Sequence, residues 1–154
     1  MAKRAQLSRA AADVGRTVPA FRDVRWSSEE GLAWAAGLFD GEGSVGLTGD
    51  PHRPSVWMEL SQASAAAVPD VLERFRAVVG VGRISGPRVV PSPWSKLPQY
   101  RWEAARFPDV ERVAQMLYPY ADVVKRERMF NSVDHVRRAR AMRTQHEDSY
   151  HRVQ

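Results

Sequence analysis

Cysteine is absent from the 154 residues. That excludes a disulfide framework, a thiol nucleophile and a Cys-ligated zinc site. No apolar stretch approaches the ~18 consecutive residues that a membrane-spanning helix needs, so no membrane partner is expected. The four histidines, His52, His135, His146 and His151, have neither metal-ligand nor His-Asn-His nuclease spacing, and they are assigned no role. Acid is the scarcer charge: 18 Asp plus Glu stand against 23 Lys plus Arg, a formal net charge of +5. A polyanionic partner is consistent with that balance, although solvated proteins that bind nothing often carry as much. What is present is globular: 44% of residues are hydrophobic, in a length that suits one domain with a core of its own.

The charge is unevenly spread. Residues 1–25 carry +4, residues 26–120 carry −2 and residues 121–154 carry +3. Residues 1–25 show little apolar periodicity and read as a basic N-terminal arm. They lack the apolar segment of a secretory signal, and Asp13 counts against an organelle transit peptide despite the Arg, Ser and Ala around it. A cytoplasmic protein of a bacterium or phage is the default, with an organelle left open. The division expected is arm 1–25, one domain over 26–145, and a C-terminal tail over 146–154.

From Ser27 the pattern is regular. Ser27 and Glu30 have capping-box spacing, so a helix should start there and run through Leu32, Ala36 and Phe39 to Gly41, with Gly43 ending it. Two alternating runs follow, Ser44–Thr48 and Ser55–Gln62, around the turn-rich residues 49–54. A second helix fits Ala66–Val79, a second strand pair Gly82–Ser85 and Gln99–Ala105, and two helices Pro108–Leu117 and Asp122 to about Arg143. The order α-β-β-α-β-β-α with a terminal helix predicts an α+β fold. A four-stranded antiparallel sheet would carry helices on one face and leave the other open as a saddle.

Two features of the first helix bear on chemistry. Ala33, Gly37 and Gly41 recur every four residues, giving a stripe almost without side chains, across which a second helix backbone can approach. One such helix per chain makes the same helix of a second copy the natural partner, hence a two-fold homodimer with Ala33, Ala36, Gly37, Asp40 and Gly41 at the interface. Asp40 and Glu42 stand at the helix C-terminus, where the macrodipole is already negative. Pairing two such ends adds repulsion that a divalent cation relieves, and oxygen ligands of this kind suit Mg²⁺ (or Mn²⁺) completed by water and phosphate oxygens. For these residues alone, ordinary turn chemistry with Asp40 capping a local amide is the alternative.

The segment Ala35-Ala36-Gly37-Leu38-Phe39-Asp40-Gly41-Glu42-Gly43 resembles the signature of the single-motif LAGLIDADG homing endonucleases, in its Asp-Gly-Glu-Gly form. Ala36, Gly37, Leu38, Asp40 and Gly43 are identical to the family's name, and the likeness extends over roughly residues 28–140 through the order of helices and strands. The resemblance implies a homing-type, site-specific double-strand DNA endonuclease. It would act as a homodimer through the motif helix, need divalent metal and no organic cofactor, and hydrolyse phosphodiester bonds at a long pseudo-palindromic site. It further implies that Glu42 and the Gly41 carbonyl ligate metal, and that Gln62 and Lys125 work beside the scissile phosphate. Arg126, next to Lys125, is an alternative for that last role. Some relatives carry a basic residue just past the glutamine, where this chain has Ala63, Ser64, Ala65 and Ala66. That difference keeps open a non-cleaving DNA-binding regulator, or a maturase-like RNA-intron splicing factor, on the same fold.

Strand alternation predicts the reading face. With Val56, Met58 and Leu60 inward, Arg53, Ser55, Trp57, Glu59 and Ser61 project outward on the second strand. Arg83 and Ser85 do so on the third, and Gln99, Arg101 and Glu103 on the fourth. Arg, Gln and Glu are the side chains that pair with guanine, adenine and the cytosine amino group, and a β-ribbon fits the major groove. Phosphate contacts are expected from Arg88 and Lys96 in the proline-rich loop, from the basic arm, and from Arg137, Arg138, Arg140 and Arg143. For the last helix a salt-laced, solvated surface is the alternative.

Overall fold

The computed structural model describes residues 28–89, 91, 93 and 96–151. The basic arm 1–25 and the cap expected at Ser27 lie outside the described residues. The first helix, α1, spans Ser28–Glu42. Glu29 and Glu30 in its first turn oppose the positive end of the helix dipole, and the segment holds no β-branched residue. Gly37 and Gly41 each cost the helix about 1 kcal/mol relative to Ala. The chain then passes directly into β1 (Gly43–Asp50).

β1 and β2 (Arg53–Ala63) form a hairpin whose turn is closed by the His52 N–H donating to Asp50 Oδ1 at 2.7 Å. The next helix, α2, covers Asp70–Val79, four residues shorter at its start than the apolar pattern suggests. Pro69 is the reason: proline disfavours helical geometry in Val68 before it, while the Pro69 carbonyl accepts the Leu72 and Glu73 N–H groups that open the helix. β3 (Arg83–Arg88) and β4 (Gln99–Ala104) follow, then α3 (Phe107–Leu117), with Pro108 in its first turn, and α4 (Val123–His151). Two expectations change here. Arg88 closes β3, opposite Gln99, instead of lying in the loop. The segment read as a tail from 146 continues α4 as far as His151.

The sheet is antiparallel with order β1-β2-β4-β3, so the two hairpins meet through β2 and β4 at its centre. All four helices have contacts to its inner side or to one another, which leaves the opposite face open. The fold is therefore α+β, with the helices on one face of a four-stranded sheet. Val56, Met58 and Leu60 are buried, as are Tyr100, Trp102 and Ala104, matching the alternation read from the sequence. The core centres on aromatic contacts between the layers: Phe39 stacks on Phe75 at 6.1 Å, and Phe75 meets Trp102 edge-on at 4.7 Å. Such pairs add about 0.5–1.5 kcal/mol each beyond the area they bury. The Trp102 indole N–H donates to the Val81 carbonyl at 3.0 Å, so the largest core side chain leaves no buried donor unpaired. None of the described helices is long and apolar enough to cross a membrane.

Candidate functional site

The junction of α1 and β1 gathers the candidate catalytic residues. Gly43 permits the abrupt turn from helix to strand because the Phe39 ring lies against it. A Cβ at that position would sit 2.2 Å from Phe39 Cδ2, inside van der Waals contact. Packing the ring there buries Phe39 completely and leaves the Glu42 carboxylate exposed at the helix end.

Lys125, in the first turn of α4, reaches this junction from the far end of the chain. Its ammonium donates to the Gly43 carbonyl at 2.5 Å and lies 5.5 Å from the centre of the Phe39 ring. A second tie runs in parallel, with the Asp122 N–H donating to Asp40 Oδ2 at 3.0 Å. Asp122 in turn caps α4, its Oδ1 accepting from the Val124 and Lys125 N–H groups at 2.7 and 3.2 Å. The neighbouring Arg126 is occupied otherwise. It donates to the Ala121 carbonyl at 2.8 Å and lies over the Tyr118 ring, so of the two basic residues it is Lys125 whose side chain bonds at the junction.

Gln62 reaches the same end of the sheet by register. Gly43, the first residue of β1, pairs with Leu60, so β2 overshoots β1 by Ser61, Gln62 and Ala63 toward the helix terminus. Gln62 shares the helix-side face of β2 with Leu60 and is half-buried.

The donors at the end of α1 are hard oxygens. Glu42 offers an exposed carboxylate, and the Gly41 carbonyl is one of the last four of the helix, which have no intrahelical partner. Asp40 Oδ1 is buried and without a hydrogen-bond partner. This set fits Mg²⁺ chemistry and not that of a thiophilic metal. Among the described residues no group of three or more His, Asp or Glu side chains is assembled for a metal.

Along α1, Ala33, Gly37 and Gly41 are exposed, and a Cβ added at Gly37 or Gly41 would meet nothing within 4 Å. Among the described residues the stripe is thus open over about two turns. Ala36 departs from the expectation: it is fully buried in its own chain's core and does not lie on the open stripe. Its position, one residue before Gly37, turns it by about 100° around the helix.

On the open face, Arg53 and Ser55 are exposed, and Trp57, Glu59, Ser61, Gln99, Arg101 and Glu103 are half-buried, while Arg83, Ser85, Arg88 and Lys96 are exposed. Trp57 lies over Gly46, its cross-strand partner, where a Cβ would come within 2.5 Å of the indole. Sequence alternation placed these residues on one face but missed their pairing: Arg101 with Glu59, and Arg83 with Glu103. Only the strand register reveals it. On α4, Arg137 pairs with Glu111 and Asp134, Arg138 with Asp134, and Arg140 stacks on Phe107. Arg137 and Arg138 thus make the ion pairs that the salt-laced alternative expects, whereas Arg140 meets an aromatic ring.

Neither a family model nor a curated protein matches this sequence. Solved structures do match it. Homing endonuclease I-CvuI in complex with its target in the presence of Ca superposes with a TM-score of 0.56 at 14% identity, over 75% of this chain and 71% of that one. The same enzyme with the I-CreI target and Mg, its DNA not cleaved, gives 0.53 at 15% identity, over 70% and 66%. The group I intron-encoded homing endonuclease I-CeuI complexed with DNA gives 0.50 at 16% identity, over 84% of this chain and 61% of its own. This chain therefore spans slightly under two thirds of the I-CeuI chain and of I-CvuI in the second comparison. The fold is that of the LAGLIDADG homing endonucleases.

Proposed function

We propose that this protein is a site-specific double-strand DNA endonuclease of the homing type, working as a homodimer with a divalent metal. The observation that carries the reading is the hydrogen bond from Lys125 to the Gly43 carbonyl, which brings a cation to the acidic end of α1 across 82 residues of sequence. A lysine is favourable in itself beside the negative end of a helix bearing Asp40 and Glu42, but that alone does not require it at the part-buried junction where the strand begins. A phosphodiester, negatively charged and gaining charge in its transition state, does.

In this reading Glu42 and the Gly41 carbonyl hold Mg²⁺, or Mn²⁺ in its place. The bound ion supplies activation of water and charge neutralisation at the leaving oxygen. Hydrolysis forms a bond between the water oxygen and phosphorus and breaks one P–O bond of the backbone. Gln62, on the overshooting end of β2, orients the attacking water through its amide. Lys125 offsets charge on the equatorial phosphate oxygens as the new bond forms.

The homodimer rests on the open stripe of α1. Gly37 and Gly41 weaken the helix by about 1 kcal/mol each relative to Ala, and among the described residues nothing lies within 4 Å of where their Cβ atoms would be. A second copy of α1 laid across the stripe fills it and brings two Glu42 carboxylates to one site, one for each strand of a two-fold duplex. The open sheet faces of the two copies then lie along one long major-groove track. There Arg53, Ser55, Trp57, Glu59, Ser61, Arg83, Ser85, Gln99, Arg101 and Glu103 meet base edges, and Arg88 and Lys96 meet phosphates.

One observation favours a second reading, a non-cleaving binder on the same scaffold. The residues after Gln62 are Ala63, Ser64, Ala65 and Ala66, with no basic side chain to add to the phosphate site. One experiment separates the two: incubation of the purified protein with a target-site library, with and without Mg²⁺. Metal-dependent double-strand cuts at one sequence establish the nuclease. Tight binding that ignores divalent metal, with no cleavage under any metal, rejects it for the binder.

A further inference from the structure

The open face of the sheet carries a cluster of four charges that satisfy one another. Glu59 and Glu103 are direct partners across β2 and β4, and Arg83 is the partner of Glu103 across β3 and β4. Arg101 Nη1 lies 3.1 Å from Glu59 Oε2, and Arg83 Nε donates to Glu103 Oε1 at 2.5 Å. The cluster borders a concavity whose walls include Trp57 and Thr48. Two carboxylates directly opposite each other on a sheet repel, and exposed ion pairs stabilise a fold little. Folding therefore gives no strong reason for the pair of glutamates at the centre of this face.

We infer that Glu59 and Glu103 are specificity-determining residues, which cancel the sequence-independent attraction of Arg101 and Arg83 for phosphate and release those arginines only to matched base edges. This rests on the sheet face meeting duplex DNA, as proposed above. An arginine free on that face would bind the backbone of any sequence. A carboxylate beside it repels phosphate but accepts from the amino group of cytosine, while the arginine donates to guanine O6 and N7. A G·C pair in the right register thus replaces one Arg–Glu contact with two base contacts, and neither charge is left alone. Elsewhere, parting the pair leaves a carboxylate facing phosphate or another acceptor.

The test is binding, measured by fluorescence anisotropy against a random-sequence duplex pool over a range of salt, with no metal so that cleavage does not enter. Glu59→Gln and Glu103→Gln keep the size and one acceptor of each side chain and remove its charge. Each is expected to bind the pool roughly threefold or more tighter than the parent protein, with a log–log salt slope steeper by about one unit. Sequencing of the bound fraction is expected to show the preference of the best over the average sequence falling about fivefold or more at the affected positions. Adding Arg101→Gln to Glu59→Gln should restore the parental slope, since the freed arginine is the agent. Glu111→Gln, which removes one of the two carboxylate partners of Arg137 away from the sheet, controls for the change of net charge.

Unchanged or weaker pool binding by both sheet variants, with the parent binding duplex normally, overturns the inference and leaves the DNA-binding reading intact. An equal shift in Glu111→Gln overturns it as well. Failure of the parent and both variants to bind duplex even at low salt overturns the DNA reading and this inference together.

Discussion

The Lys125 ammonium donates to the Gly43 carbonyl at 2.5 Å, and this contact fixes the first turn of α4 against the point where α1 becomes β1. The Asp122 N–H bond to Asp40 doubles the tie one turn away. Two elements at opposite ends of the domain sequence thus share one small volume, and its chemistry depends on both.

Replacing Lys125 by Met keeps the length of the aliphatic stem against Phe39 and removes the charge. DNA cleavage is expected to fall about 100-fold or more, the size typical of losing one electrostatic donor. Duplex affinity should change only a few-fold. Single-turnover cleavage and anisotropy on the same DNA check this. A variant that cleaves at the parental rate removes Lys125 from the mechanism.

Glu42→Gln should abolish metal-dependent cleavage and leave duplex binding nearly intact, because the side chains proposed to read bases stand on the open face of the sheet. The folded state should be as stable as the parent or slightly more so, since a negative charge leaves the C-terminal end of a helix, where it is disfavoured by a few tenths of a kcal/mol. Thermal unfolding and cleavage assays give the two readouts, and normal cutting by this variant would disprove the metal assignment.

Gly43→Ala pushes a methyl group into the Phe39 ring, 2.2 Å from Cδ2. The ring is fully buried and stacked on Phe75, so it has no free path aside. A loss of about 1–3 kcal/mol in unfolding free energy is expected from such overpacking. Urea titration measures it, and an unaltered midpoint would mean that the junction relaxes without strain.

Gly37→Leu tests the stripe. A Cβ at this position meets nothing within 4 Å among the described residues, so the fold should persist and its helix should gain propensity. Association should be lost, which sedimentation velocity reads as a shift from dimer to monomer, with cleavage lost in parallel. A variant that stays dimeric places the interface elsewhere.

Much of the fold is legible in the sequence because period and turn chemistry are local. The alternation of Val56, Met58 and Leu60 fixes which face of β2 is buried, and residues 49–54 mark the hairpin. Pro69 is also local, and its effect on the start of α2 overrides the apolar run that begins before it. β3 and α4 run further than the sequence pattern predicts, to Arg88 and His151. Gly86 and Pro87 look like a strand stop, and Arg88 is nonetheless held by pairing with β4. The residues after Arg143 have no apolar stripe, yet they remain helical as an extension of a helix already nucleated.

The sequence by itself determined the residue types at the end of α1, the small-residue stripe and the inward and outward sets of each strand, because each depends on spacing along one element. Tertiary structure alone decided that Lys125 and not Arg126 reaches the acidic junction, that Ala36 belongs to the core, and that Arg83 and Arg101 of the open face are held by glutamates from neighbouring strands. The physical reason is common to all three. Helix phase against a neighbour and strand register are set by how the layers pack, and a shift of one residue in either would change every one of these partners.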